Sequence, residues 1–200
     1  MKKSIKLLVS VIVFVTMLCA FAFSAVSLSA CGTKATKGLE YRLNEDGKGV
    51  TVVGIGSASD ENVVIPAKYS LAFPASLPVT GIGDNAFENC NKIKSVTISE
   101  GVTSIGDGAF SGCSCLESVT IPKSLSFIGV KAFSLCSSLA KVDFVYKYEW
   151  KIYERSEGSK YDKFIYEASD AEIGHTPTVL NYLKEKYVNC YWTHFAESKF

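Results

Sequence analysis

Residues 79–101, 102–124 and 125–147 are successive copies of one 23-residue pattern, and the first two copies agree at 12 of 23 positions. Ile82, Ile105 and Ile128 stand in register, each followed by a glycine (Gly83, Gly106, Gly129). Ala86-Phe87, Ala109-Phe110 and Ala132-Phe133 come next, then Cys90, Cys113 and Cys136. Ile93, Leu116 and Leu139 precede Val96, Val119 and Val142. A unit this short cannot bury its apolar side alone, so copies must stack on one another.

The periodicity within one copy sets the expected coil. Ala86, Phe87 and Cys90 have the spacing of one face of a single helical turn. Val96 and Ile98 alternate with Ser95 and Thr97, which predicts a short strand with one buried face. The glycine after Ile82 is expected to let the chain turn tightly. Stacking at about 4.8 Å per rung then joins the strands into a parallel sheet over columns of identical residues.

The pattern Ile-Gly-x-x-Ala-Phe-x-x-Cys-x-x-Leu-x-x-Val-x-Ile-Pro, fullest from Ile105 to Pro122, resembles the BspA-type leucine-rich-repeat family of bacterial surface proteins. The resemblance covers 79–147, and Asn62-Val63-Val64-Ile65-Pro66 resembles the strand end of a further copy, reached by a longer loop through Leu77-Pro78-Val79. It implies a surface location and binding of protein or host matrix. It implies no catalytic residues and no cofactor. The expected fold is a β-rich (α+β) leucine-rich-repeat solenoid of short parallel strands and one-turn helices.

Solenoid ends need covers. An N-terminal hairpin cap is expected where Leu39–Leu43 and Val50–Val53 flank Asn44-Glu45-Asp46-Gly47, so 39–78 reads as this cap plus a first partial repeat. Beyond the repeats, 148–200 reads as a mixed α/β C-terminal cap. Val142, Phe144, Tyr146, Tyr148, Trp150 and Ile152 share one parity, as on a continuing strand. Arg155 to Lys163 is polar and reads as a loop. Thr176-Pro177 begins a helix, with Leu180, Leu183 and Tyr187 at helical spacing. Cys190, Trp192 and Phe195 fall in a final strand.

The N-terminus differs from the rest. Lys2, Lys3 and Lys6 precede an apolar run over 7–26, as in a secretory signal or an uncleaved span. Leu28-Ser29-Ala30-Cys31-Gly32 resembles the lipobox of bacterial lipoproteins, which implies cleavage after a signal peptide of residues 1–30 and lipidation of Cys31. Residues 31–38 then form a tether. Cleavage removes three lysines and no acid, leaving 18 basic and 20 acidic side chains. Such a chain lacks a basic surface for nucleic acid, and its membrane attachment must rest on acyl chains, at about 0.8 kcal/mol per buried CH₂.

Most constellations that tempt a chemical reading have a plain one beside them. The column Cys90, Cys113 and Cys136, with Cys115 nearby, reads as buried reduced packing or as a disulfide; no Cys-x-x-Cys pair supports a metal. Cys190 and His194 lie four apart in a strand, about 13 Å, too far to share a proton. His175 stands alone. Gly54-Ile55-Gly56 lacks the third glycine of a phosphate loop, since Ser59 stands there. Tyr146, Tyr148 and Trp150 form either a core cap or a sugar-stacking platform, and their inward parity favours the cap.

What remains is the solvent face of the repeat sheet. Ser95, Ser118 and Lys141 form one column and Thr97, Thr120 and Asp143 the next. Either they bind a peptide or glycan, or they merely suit an exposed strand. The expected function is a surface-anchored module for an extracellular protein or glycan. The rivals are assembly with another envelope protein and an undetected hydrolase.

Overall fold

The computed structural model describes residues 35–72, 75–146, 150–154, 163–168, 176–186 and 189–193. Signal segment 1–30, Cys31, Tyr148, His175, Tyr187, His194 and Phe195 lie outside them. Among the described residues no helix is long and apolar enough to cross a membrane.

Each 23-residue copy contributes two short strands on opposite sides of a shared core. The first sheet holds β3 (Asn62–Ile65), β6 (Ser95–Ile98), β8 (Ser118–Ile121) and β10 (Lys141–Phe144), all parallel. Its alternation is as expected: Val96, Ile98, Val119 and Ile121 are buried and Thr97 is exposed. The rung at Asn62 pairs in register with Ser95, so the partial repeat is a true fourth rung.

The second sheet was not legible in the sequence. Its parallel rungs are β2 (Val50–Gly54), β5 (Ala75–Ile82), β7 (Ser104–Ile105) and β9 (Phe127–Ile128). Two-residue strands are too short to show alternation. The expected hairpin is present, β1 (Glu40–Leu43) running antiparallel to β2. Yet β2 also pairs with β5, so the hairpin adds a rung to this sheet. The stretch through Leu77-Pro78-Val79 is no loop: β4 (Lys68–Ala72) and β5 form an antiparallel hairpin.

Between the sheets, Ala86 to Cys90 does not form the expected helical turn. Ala86, Glu88 and Cys90 donate backbone bonds three residues back, to Gly83, Asn85 and Phe87. The amides between them, Asn85, Phe87 and Asn89, donate instead to Asp107, Ala109 and Ser111 of the next coil. The segment is a chain of β-turns laddered to its neighbour. The left-handed residues are Asn85 and Asn89, Gly108 and Gly112, then Lys131 and Leu135, at the same two positions of each coil. Asparagine and glycine tolerate that conformation. The spacing still faces the same side chains inward, and Phe87, Phe110 and Phe133 stack at 5.1 and 5.4 Å with rings within 7° of parallel.

The glycine after the isoleucine also has a different reason. None of Gly83, Gly106 and Gly129 has a positive φ. A Cβ on Gly106 would lie 2.6 Å from Asp84 N and 2.7 Å from Gly83 C. Coils touch backbone to backbone there, and glycine keeps the contact possible.

The strands after the repeats extend the second sheet. β13 (Cys190–Thr193) pairs antiparallel with β9, then with β11 (Trp150–Glu154), which carries β12 (Lys163–Ala168) at the edge. The parity run from Val142 therefore does not continue as one strand. It breaks after Phe144 at a bend over Val145 and Tyr146, and Trp150 resumes in the other sheet. Tyr146 is 50% exposed, with the Lys123 ammonium 4.7 Å above its ring, so it is not core. Trp150 is core, against Phe144 and Trp192. β12 takes up the end of what read as a polar loop. Helix α1 (Thr176–Asn181) starts at the expected threonine and runs into a π-helical turn, Tyr182–Lys186. Its inward face is Val179, Tyr182 and Leu183, with Leu180 half-buried. The stripe is offset because Tyr182 packs on Trp192, 6.1 Å away.

Candidate functional site

The solvent face of the first sheet presents the residues singled out by sequence. Ser95, Ser118 and Lys141 lie in one row, with Asn62 added, and Thr97, Thr120 and Asp143 in the next, with Val64 added. All six share one face because strand parity puts Val96, Val119 and Val142 inside. Thr97 and Lys141 are exposed and the others half-buried.

The rows are not uniform. Ser95 Oγ donates to Asn62 Oδ1 at 2.6 Å. At the far edge Lys141 Nζ pairs with Asp143 Oδ2 at 2.7 Å, the lysine exposed and the aspartate half-buried. Lys94 pairs with Glu61 at 2.7 Å beside the face, and that bond raises the lysine's affinity for its proton. Between these tied ends lies a small patch of hydroxyls, Thr97, Ser118 and Thr120. It is flat, uncharged and able both to donate and to accept. Four rungs span about 15 Å, so its reach is short.

The cysteine column carries no chemistry at this face. Cys113 and Cys136 are fully buried. Their thiols donate to the carbonyls of Phe87 and Phe110 at 3.0 and 3.1 Å. Burial pushes the Cys113 thiol up to about 12 and Cys136 to about 11. Such thiols are poor nucleophiles. Cys90, at the start of the column, is half-buried and Cys115 is exposed. Cys190 is half-buried in β13, while its supposed partner His194 lies outside the described residues. Among the described residues no group of three or more His, Cys, Asp or Glu could hold a metal. Gly54 and Gly56 are used structurally, Gly56 turning with φ +53 against Gly38.

Sequence reasoning missed that the stretch read as a tether is partly built into the fold. Thr36 is 4% exposed; its amide donates to Val64 O at 3.1 Å and its hydroxyl accepts from Val64 N at 2.8 Å. It closes the open edge of β3. A lone threonine in a polar stretch offers no signal of this.

A family model described as a BspA type leucine rich repeat region matches residues 69–165, in six copies. Among solved structures, a leucine-rich-repeat protein of T. pallidum is 30% identical with a TM-score of 0.49, covering 56% of this chain and 50% of that one. A leucine rich cell surface protein of Faecalibacterium prausnitzii is 31% identical with a TM-score of 0.47, covering 59% of this chain and 31% of that one. A leucine-rich repeat protein of Bacteroides capillosus is 28% identical with a TM-score of 0.45, covering 56% of this chain and 90% of that one. This chain thus spans about half the length of the first of these and about a third of the second. No curated protein matches it.

Proposed function

From a repeat region, residues 69–165, that belongs to the BspA-type leucine-rich repeat family, we propose that the chain is a non-catalytic binding module. It is displayed on the bacterial surface as a lipoprotein through Cys31 and adheres to an extracellular protein or glycan through the outer face of the four-stranded sheet. The observation that carries the reading is the in-register hydroxyl patch Thr97, Ser118 and Thr120 on a parallel sheet. Preset polar groups lose little entropy when a partner binds.

The docked Thr36 adds an orientation to the anchor. Five peptide steps separate Cys31 from Thr36, a reach of about 17 Å. A lipid on Cys31 therefore holds the N-terminal end of the stack near the bilayer and leaves the sheet face free alongside.

Two measurements test this. Cells given labelled palmitate should transfer it to the wild-type chain and not to Cys31→Ala; label persisting on the variant removes this anchor. Liposomes bearing the protein should adhere to at least one immobilised matrix protein or glycan, with Ser118→Arg/Thr120→Arg weakening adhesion about tenfold, a loss of about 1.4 kcal/mol. Adhesion unchanged by the double variant rejects the sheet face, and no adhesion to any surface rejects the function.

A further inference from the structure

Among the described residues Thr36 is the one buried polar side chain. Its amide donates to Val64 O at 3.1 Å and its hydroxyl accepts from Val64 N at 2.8 Å, so both bonds fall on one residue. Val64 belongs to β3, the end strand of the four-stranded sheet. A single threonine thus takes the place that a pairing strand would have there.

Two residues further on the chain is held in another way. Gly38, at φ +88°, packs so closely on Ser57 that a Cβ would lie 2.6 Å from the serine hydroxyl. Gly38 O accepts from Ser57 N at 3.0 Å. Leu39 is buried in the core, and β1 then pairs with β2 along its whole length. The N-terminal side is therefore fastened in two stages, a polar latch at Thr36 and an apolar, sheet-backed clamp from Gly38 onward. A pull from the direction of Cys31 reaches the latch before the clamp, and one residue has fewer bonds to share the load than a paired strand.

We propose that Thr36 is a load-released latch: tension between a lipid on Cys31 and a surface held by the sheet face undocks it while the repeat stack stays folded. Undocking moves the fixed point from Thr36 to Gly38, two peptide steps, so the reach from Cys31 grows from about 17 to about 24 Å. It also bares the Val64 N–H and C=O at the sheet edge, and an open strand edge is a template for pairing. When tension falls the threonine redocks, because the strand that receives it has not moved. The physiological load rests on the reading of Cys31 as the anchor; the latch itself can be measured without lipid or ligand.

The test stretches the chain from residue 31 onward in optical tweezers. One handle is a tag ahead of residue 31 in a Cys31→Ala background and the other is on the exposed Cys115, so failure here is distinct from failure of palmitate labelling or of adhesion. Wild-type Thr36 should give one reversible lengthening of about 7 Å at a load below that which unfolds the stack. Thr36→Ser keeps the acceptor oxygen and should keep the step at the same load. Thr36→Val loses it and should undock about tenfold more often at a given load, the factor for about 1.4 kcal/mol. A step unchanged in Thr36→Val, a step lost in Thr36→Ser, or lengthening that comes only with unfolding of the stack overturns the proposal.

Discussion

Within the three coils, side-chain bonds repeat at a separation of 23 residues. Asp84 Oδ1 accepts from Asp107 N at 2.8 Å and Asp107 Oδ1 from Val130 N at 2.9 Å. Asn91 and Glu100 accept in the same way from Ser114 and Lys123. At the two ends nothing repeats. The N-terminal edge is closed by Thr36 on Val64, and the last coil by Lys184, whose ammonium donates to the Ser137 and Leu139 carbonyls, each at 3.4 Å. The coils are held by each copy serving the next, whereas the side-chain bonds at the ends come from residues with no 23-residue counterpart. A repeat can propagate its own bonds but cannot terminate them, because the last copy has no neighbour.

The difference predicts a graded set of losses. Phe110→Ala should cost most, about 3–5 kcal/mol, because its ring is stacked on both sides. Urea unfolding at neutral pH measures it, and a loss below that of Thr36→Val would break the view that the coils carry the stability.

Glycines sharpen the same contrast. Gly106→Ala places a methyl against the backbone of the preceding coil and should cost about 1–3 kcal/mol. Gly47→Ala in the N-terminal hairpin meets nothing within 4 Å; only its left-handed φ of 67° resists, at about 1 kcal/mol. Equal effects in thermal melts would mean that inter-coil contact is not what selects the repeated glycine.

At the ends the expected effects are smaller and local. Thr36→Val leaves the half-buried Val64 amide without its acceptor, costing about 1–2 kcal/mol. Hydrogen exchange should quicken at β3 and leave β8 protected. Lys184→Met should cost under about 1 kcal/mol, given two long bonds at an exposed end. Exchange that quickens through every rung would instead show that the ends and the coils unfold as one unit.

The thiols supply a pH dependence confined to the coils. Cys113 and Cys136 have folded values raised above their ordinary 9.0, to about 12 and about 11. Their contribution is complete below pH 9. Above it the unfolded chain ionises first, so stability falls as pH rises towards 11. The urea midpoint should fall over that window, and Cys113→Ala/Cys136→Ala should flatten the slope. A slope unchanged in the double variant would place the pH dependence elsewhere.

Legibility followed the same division. The strand columns were readable because Val96, Val119 and Val142 recur with period two at a fixed 23-residue offset, and the six sheet-face residues followed from parity. The inward Phe column was readable too, although the turn chain that carries it was mistaken for helix. Its spacing matches one helical turn, and alternating within-coil and between-coil bonds leave no separate mark on residue type. Tyr146 and Trp150 show the limit plainly. They share parity in the chain, yet a bend and a change of sheet send one outward and the other into the core.

By itself the sequence determined the period, the rung register, the inward columns and the resemblance to a bacterial repeat family, since these depend on residues that repeat at one spacing. Tertiary structure alone decided what lies between and beyond the copies. It set the second sheet, the backbone contact at Gly106, and the edge closures by Thr36 and Lys184. Each of these arises where segments distant in the chain approach, and no local pattern encodes a distance between them.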